Sequence, residues 1–160
     1  MTSMSSTEEQ SHFIILALAE AAKCPVVSGA FSVGCVLVHN HSVISTGFSR
    51  ELQGNTHAEA NAIDKLEDHS ILPHVDLYTT LEPCTVRTSG LHPCTATIIQ
   101  KGIKRVFIGA SEPPDFVVCE GVNQLRQAAI DVIFVDSTSY TKSTGRILGE
   151  DCLAAARRGE

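Results

Sequence analysis

The sequence contains no tryptophan and only two tyrosines, which leaves few flat aromatic rings on which unpaired bases could stack. It is also short of positive charge. Twelve lysines and arginines stand against eighteen acidic residues, a formal net charge of −6 with a sequence pI near 5.6. No global field would gather a polyanion, so a nucleic-acid partner is disfavoured. There is no apolar run long enough to cross a bilayer. The N-terminal stretch "MTSMSSTEEQSHFIILALAEAA" has an apolar centre, but Glu8 and Glu9 stand where a signal peptide carries positive charge. The expectation is a soluble protein of the cytoplasm, with the nucleus as a second location and no membrane partner. No internal repeat or low-complexity segment interrupts the chain.

What is present fits one folded domain. With 160 residues, 43% hydrophobic and 19% charged, the chain can bury a sizeable core and is far from the composition of a disordered segment. Six cysteines in a chain of this size do not demand a disulfide framework. In a reducing compartment they are better read as metal ligands or as small buried apolar residues.

The local patterns alternate between helix and strand. Residues 8–23 carry Phe13, Leu16, Ala17 and Glu20 at helical spacing, closed by Cys24-Pro25. Val33–His39 and Ser42–Phe48 are β-rich runs joined by Asn40-His41, which predicts a hairpin. Asn55 or Thr56 would cap a helix over residues 57–67. Strands follow at 75–81, 104–110 and 130–136, with helices at 93–101, ended by Gly102, and at 120–129. This order predicts an α/β fold in three layers, α/β/α, around a mixed five-stranded sheet whose last two strands are parallel. The domain is expected over residues 1–136, with 1–7 mobile. Residues 137–160 are expected as a C-terminal tail carrying a short helix at 150–158.

The chemistry concentrates in "HAE" at His57–Glu59 and "EPCTVRTSGLHPC" at Glu82–Cys94. Each cysteine follows a proline, and Cys84 follows a strand end, where open α/β sheets place their ligands. A helix N-terminus favours a thiolate. One imidazole and two thiolates would leave zinc a fourth position open to water, the arrangement of a catalytic site. Glu59 is then the candidate proton carrier. An ideal helix would put His57 and Glu59 about 200° apart, so their convergence depends on how the first turn begins. The competing reading is a closed structural zinc with Cys35, His92 or Cys119 as a fourth ligand, in a non-catalytic module. Cys24, Cys35, Cys119 and Cys152 are otherwise assigned to core or surface.

At these residues the chain resembles the cytidine-deaminase-like zinc deaminases, whose signature is H-x-E followed by P-C-x-x-C. The spacing departs here, with nine residues between the cysteines. "TLEPC" at Thr80–Cys84, "GIKRVFIG" at Gly102–Gly109 and the long insert between the cysteines are similar to the riboflavin-biosynthesis branch. "AFSVGCVLV" at Ala30–Val38 and "GFSRELQGNTHAEANAI" at Gly47–Ile63 are similar to its stand-alone eukaryotic, chiefly fungal, form. The resemblance covers roughly 30–136. Bacterial bifunctional members carry an Asn-bearing "PNP" run before the first strand where this chain has "GAF", so substrate contacts from that strand do not carry over. The absence of a following reductase domain fits an expectation of a single activity.

The resemblance implies a cytidine-deaminase-like fold and a Zn2+ cofactor held by His57, Cys84 and Cys94. It implies hydrolytic deamination of 2,5-diamino-6-ribitylamino-4(3H)-pyrimidinone 5′-phosphate, with Glu59 carrying a proton to the ring nitrogen and then to the departing ammonia. For the ribityl phosphate the candidates are Ser49, Arg50, Glu51, Asn55, Thr56, Arg87 and Ser89. The backbone at Leu81 and Glu82 is the candidate acceptor for the leaving amine. A homodimer is expected by resemblance only. The alternative within the same class is a deaminase of another base or nucleotide.

Overall fold

A computed structural model of the chain describes residues 3–87, 92–111, 113 and 120–158. The first helix, α1 (Ser6–Ala21), opens on a capping box: Ser5 accepts from the Glu8 backbone N–H while the Glu8 carboxylate accepts from that of Ser5. The hairpin expected from Asn40-His41 is present, joining β1 (Gly34–His39) to β2 (Ser42–Phe48). Both turn residues have positive φ, 50° and 62°, the backbone that the right-handed twist of a two-residue hairpin turn selects.

Next come α2 (Ala58–Asp64), a 3-10 turn at His69–His74, β3 (Asp76–Leu81), α3 (Cys94–Lys101), β4 (Arg105–Ala110), α4 (Gly121–Gln127) and β5 (Asp131–Phe134). The sheet order is β2-β1-β3-β4-β5. β1 runs antiparallel to β2 and β3, while β3, β4 and β5 are parallel, so the parallel set extends one strand beyond the expected pair. The three-layer mixed sheet is as the sequence predicts.

Period-two alternation divides the strands between two cores. Cys35, Leu37, Leu77, Val106 and Ile108 pack with Ala58, Ala62, Ile63, Ile98 and Leu125 from α2, α3 and α4. Val36, Val38, Tyr78 and Phe107 face the other way, against Phe13, Ile14 and Ala17 of α1. Residues 137–158 complete that second layer and are no loose extension. They form α5 (Ser137–Thr144) and α6 (Leu148–Ala156), and Tyr140, Leu148, Cys152 and Ala156 are buried in the same cluster. The short helix expected at 150–158 thus starts two residues earlier, and a second helix precedes it. Asp136 caps α5 by accepting from the Thr138 N–H, a signal that the Ser- and Thr-rich composition of the segment obscures. Among the described residues no helix is long and apolar enough to cross a membrane.

Candidate metal and catalytic site

The site is assembled where α2 begins, where β3 ends and where α3 begins. Close backbone approach sets α2 against β2. A Cβ on Gly47 would lie 2.1 Å from the Ala58 carbonyl oxygen and 2.7 Å from the Ala62 nitrogen, so only glycine allows this contact. Ser45 Oγ donates to the Ala62 carbonyl at 2.6 Å, and Asn61 Nδ2 donates to the Phe48 carbonyl at 2.9 Å.

The cap differs from expectation. His57 itself is the N-cap, with φ −100° and ψ 154°, and no side chain caps the helix. Asn55 is exposed, and the Thr56 hydroxyl is used elsewhere, donating to the Leu52 carbonyl and accepting from Asn61 Nδ2. The extended backbone at His57 removes the objection that two residues on an ideal helix point in opposite directions. The imidazole leaves the chain before the helical rotation starts.

His57 Nδ1 lies 3.5 Å from Cys84 Sγ and 3.5 Å from Cys94 Sγ, and the three ligand atoms all fall within 4.8 Å of one another. A tetrahedral zinc with bonds of about 2.0–2.1 Å to nitrogen and 2.3 Å to sulfur separates those atoms by about 3.6 Å. The residues therefore fit the ion. Cys84 and Cys94 are buried and His57 is half-buried, so the cluster opens to solvent on the imidazole side. Among the described residues the cluster has three members. Cys35 belongs to the apolar core and His92 is exposed, while Cys119 lies outside the described residues.

The helix that carries Cys94 is docked onto Cys84 by its own first turn. The Cys94 N–H donates to Cys84 Sγ at 3.4 Å, and the Thr95 N–H and hydroxyl donate to the Cys84 carbonyl at 3.1 and 3.0 Å. Pro93 occupies the N-cap, where a missing N–H costs nothing. A hydrogen bond from the Cys94 thiol, opposed by burial and helped by His57, lowers Cys84 to about 4. Donation to Cys84 and burial raise Cys94. Two sulfurs and an imidazole form a donor set that favours a cation binding both cysteines as thiolates.

Glu59 is buried beside this cluster at 4% exposure. Desolvation, then the charge of Cys84, raises its carboxyl above the ordinary carboxylate value, against the pull of His57 and of hydrogen bonds from its own backbone and Thr79. Thr79 Oγ1 lies 3.1 Å from Glu59 Oε1. Thr79, Asn61 and Thr95 escaped the reading of the sequence. The available signal was a hydroxyl at Thr79, on the strand face that otherwise carries Leu77.

The expected substrate contacts divide. Ser49 is buried, and its hydroxyl accepts from the Val33 N–H at 2.9 Å. Glu51 is tied to the Phe48 N–H and to Lys65. Arg50, at φ 63°, clamps the loop before β1 by donating to the carbonyls of Phe31 and Pro25 and to Ser32 Oγ. These three are engaged in bonds within the protein. Arg87 donates to the carbonyls of Asn55 and His92, and its Nε is buried without a partner. It links the loop before α2 to the stretch between the cysteines. The Glu82 carboxylate accepts from the Val122 N–H at 2.9 Å, and its backbone N–H donates to the Ala110 carbonyl. The Leu81 carbonyl accepts from the Thr79 hydroxyl at 2.9 Å. Ser89 lies outside the described residues. A separate groove of about 600 Å³, at the opposite end of β3 to β5 and lined by His41, Asp76, Arg105 and Asp131 among others, contains none of these residues.

Residues 7–110 match the cytidine and deoxycytidylate deaminase zinc-binding region. The chain is 41% identical over 150 residues to a diaminohydroxyphosphoribosylamino-pyrimidine deaminase of Schizosaccharomyces pombe, covering 92% of this chain and 35% of that protein. It is 42% identical over 101 residues to the riboflavin biosynthesis protein RibD of Actinobacillus pleuropneumoniae, covering 63% of this chain and 26% of that protein. The chain thus spans about a third or less of these two relatives. The structure of the Rib2 deaminase of Aspergillus oryzae in complex with DARIPP superposes with a TM-score of 0.75 at 26% identity, over 95% of this chain and 92% of that one. A half-buried imidazole that meets two buried sulfurs beside a carboxylate, inside a matched region that runs from α1 through β4, makes this chain a member of the cytidine and deoxycytidylate deaminase zinc-binding family.

Proposed function

We propose that the protein hydrolytically deaminates 2,5-diamino-6-ribitylamino-4(3H)-pyrimidinone 5′-phosphate in riboflavin biosynthesis and releases ammonia. The observation that carries this reading is the 3.5 Å spacing of His57 Nδ1 from both sulfurs with Glu59 buried alongside. Support for the substrate comes from the similarity to deaminases of that pathway.

In this reading His57, Cys84 and Cys94 hold zinc, which when bound supplies a water acidified to near-neutral pH. Glu59 takes one proton from the attacking water and delivers it to the ring nitrogen beside the amino-bearing carbon, then carries the second proton, from the hydroxyl added to that carbon, to the amino group, which departs as ammonia. Its burial fits this task, because a carboxyl raised above its ordinary value is a stronger base toward the attacking water than an exposed one. The carbonyl end of β3, at Leu81 and Glu82, accepts from the amine as it leaves. Arg87 and Asn55 line the approach to α2, and we assign the phosphate to Arg87, the candidate arginine that is not locked into the loop before β1. We extend the assignment to a homodimer, measurable by sedimentation.

The test is ammonia release by purified protein from the ribityl pyrimidine phosphate, with dCMP, cytosine and guanine run in parallel. Turnover of the ribityl compound alone supports the proposal. Turnover of one of the others in its place transfers the activity to a different deaminase. No turnover with a full complement of zinc favours the structural module.

A further inference from the structure

We propose that Thr79 is the positioning residue for the Glu59 carboxylate, fixing its rotation so that one oxygen is held and the other faces the reaction. This inference rests on the assignment of Glu59 as proton carrier.

Thr79 lies in β3, paired with Cys35 of β1 and Ile108 of β4, two residues of the apolar core. A hydroxyl in that row is out of place unless something needs it. Its oxygen is 3.1 Å from Glu59 Oε1 and 2.9 Å from the Leu81 carbonyl oxygen, and the side chain is fully buried. Its one hydroxyl proton lies within reach of both acceptors and so bridges the proton carrier on α2 to the end of β3 that leads into Cys84. β-branching leaves the Thr79 side chain little rotational freedom, so its oxygen is a fixed post.

The other charged or polar side chains acting on Glu59 are His57, Cys84 and Cys94, all members of the metal cluster, and the buried thiol of Cys35. Among the described residues, Thr79 is the side chain outside the metal cluster that lies within hydrogen-bond distance of the Glu59 carboxylate. With Oε1 held from the strand side, Oε2 is left to exchange protons with the attacking water and the substrate ring. A carboxylate released from the post can rotate, and catalysis that relies on near-attack geometry is sensitive to displacements of this size.

The discriminating experiment measures kcat, KM, zinc content and the unfolding midpoint of Thr79→Val, Thr79→Ser and Glu59→Gln, and of Glu59→Gln combined with Thr79→Val. Valine keeps the branched shape and removes the hydroxyl. The expected result for Thr79→Val is a kcat lower by about tenfold to a hundredfold, a KM within about twofold of the parent and one zinc per chain. Thr79→Ser should restore most of kcat, and Thr79→Val should cause no further loss once Glu59 is already glutamine.

Wild-type kcat in Thr79→Val overturns the proposal. So does a raised KM at unchanged kcat, which would mark Thr79 as a substrate contact, and so does failure of serine to restore turnover. If valine prevents folding, Thr79→Ala read against Thr79→Ser on the same four measurements carries the comparison. Retained turnover in Glu59→Gln sinks the assignment of the proton carrier itself. Loss of turnover in Glu59→Gln with full activity in Thr79→Val sinks the positioning role alone.

Discussion

Alternate residues of β1, β3 and β4 look into two layers that differ in kind. Toward α1, α5 and α6 the sheet presents Val36, Val38, Tyr78 and Phe107, with Tyr78 and Phe107 stacked at 4.4 Å between ring centroids and 5° between planes. Leu148 and Cys152 close that layer at 1% and 0% exposure. Both layers hold buried polar groups, Ser11, Glu20 and Thr80 among them outside the site, but toward α2, α3 and α4 they gather at one end of the core as Glu59, Asn61, Thr79 and Thr95. Buried polar groups of this kind are costly unless bonded. Here each makes a bond to a neighbour that fixes a loop or a helix start around His57, Cys84 and Cys94, while Asn61 Oδ1 stays buried without a partner among the described residues. One layer supplies stability and the other trades part of it for a site.

The sharpest way to break this comparison is to remove a ligand. Cys84→Ser and Cys94→Ser should each reduce zinc from about one per chain to near none after dialysis and abolish ammonia release, because two remaining ligands no longer hold a catalytic ion. Elemental analysis of dialysed protein checks this. Retained stoichiometric zinc in either variant would place the metal elsewhere.

The opposite layer should respond in the opposite way. Leu148→Ala removes a fully buried side chain from α6 and should cost about 2–5 kcal/mol of stability while leaving zinc content and turnover per folded molecule unchanged. Denaturant unfolding followed by assay below the transition tests it. A loss of zinc without a loss of stability would show that the two layers are not separable.

Gly47→Ala probes the joint between sheet and site. Its Cβ would meet α2 backbone atoms at 2.1 and 2.7 Å, so the helix must shift and carry His57 and Glu59 with it. Turnover should fall about tenfold to a hundredfold, with weaker zinc retention, both measured beside the parent protein.

The smallest effect is expected at Asp151→Asn, in the scaffold layer. Hydrogen bonds from Arg146, then from Tyr140, hold the Asp151 carboxyl below its ordinary value. A depressed folded-state pKa contributes stability that is complete above the unfolded value of about 3.9 and is lost as pH falls through the folded one. The pair is largely exposed on the arginine side, so the contribution is small. Unfolding midpoints of parent and variant should differ slightly at pH 7 and converge toward pH 2.

How much of this was legible in the sequence follows the same division. The hairpin, the succession of helices and strands along the chain and the two cysteine-bearing turns could be read because each depends on local chemistry: Asn40-His41 for the turn, Gly102 in the left-handed region at φ 78° for the end of α3, and proline before each cysteine. α5 was missed because a Ser- and Thr-rich segment has weak helical propensity, and the helix is held by tertiary burial of Tyr140 and by the Asp136 cap. The cap at α2 was misplaced because Asn55 and Thr56 are good capping residues whose side chains the structure does not use as caps, while His57 does the geometric work with its backbone alone. The partners of Glu59 lay beyond reach, since Thr79 meets it only after β3 and α2 are packed.

The measurement that bears most directly on the account is zinc content and ammonia release in Glu59→Gln. About one zinc per chain with turnover reduced by about a hundredfold or more is the expected result. Turnover equal to that of the parent protein at the same zinc content would contradict it.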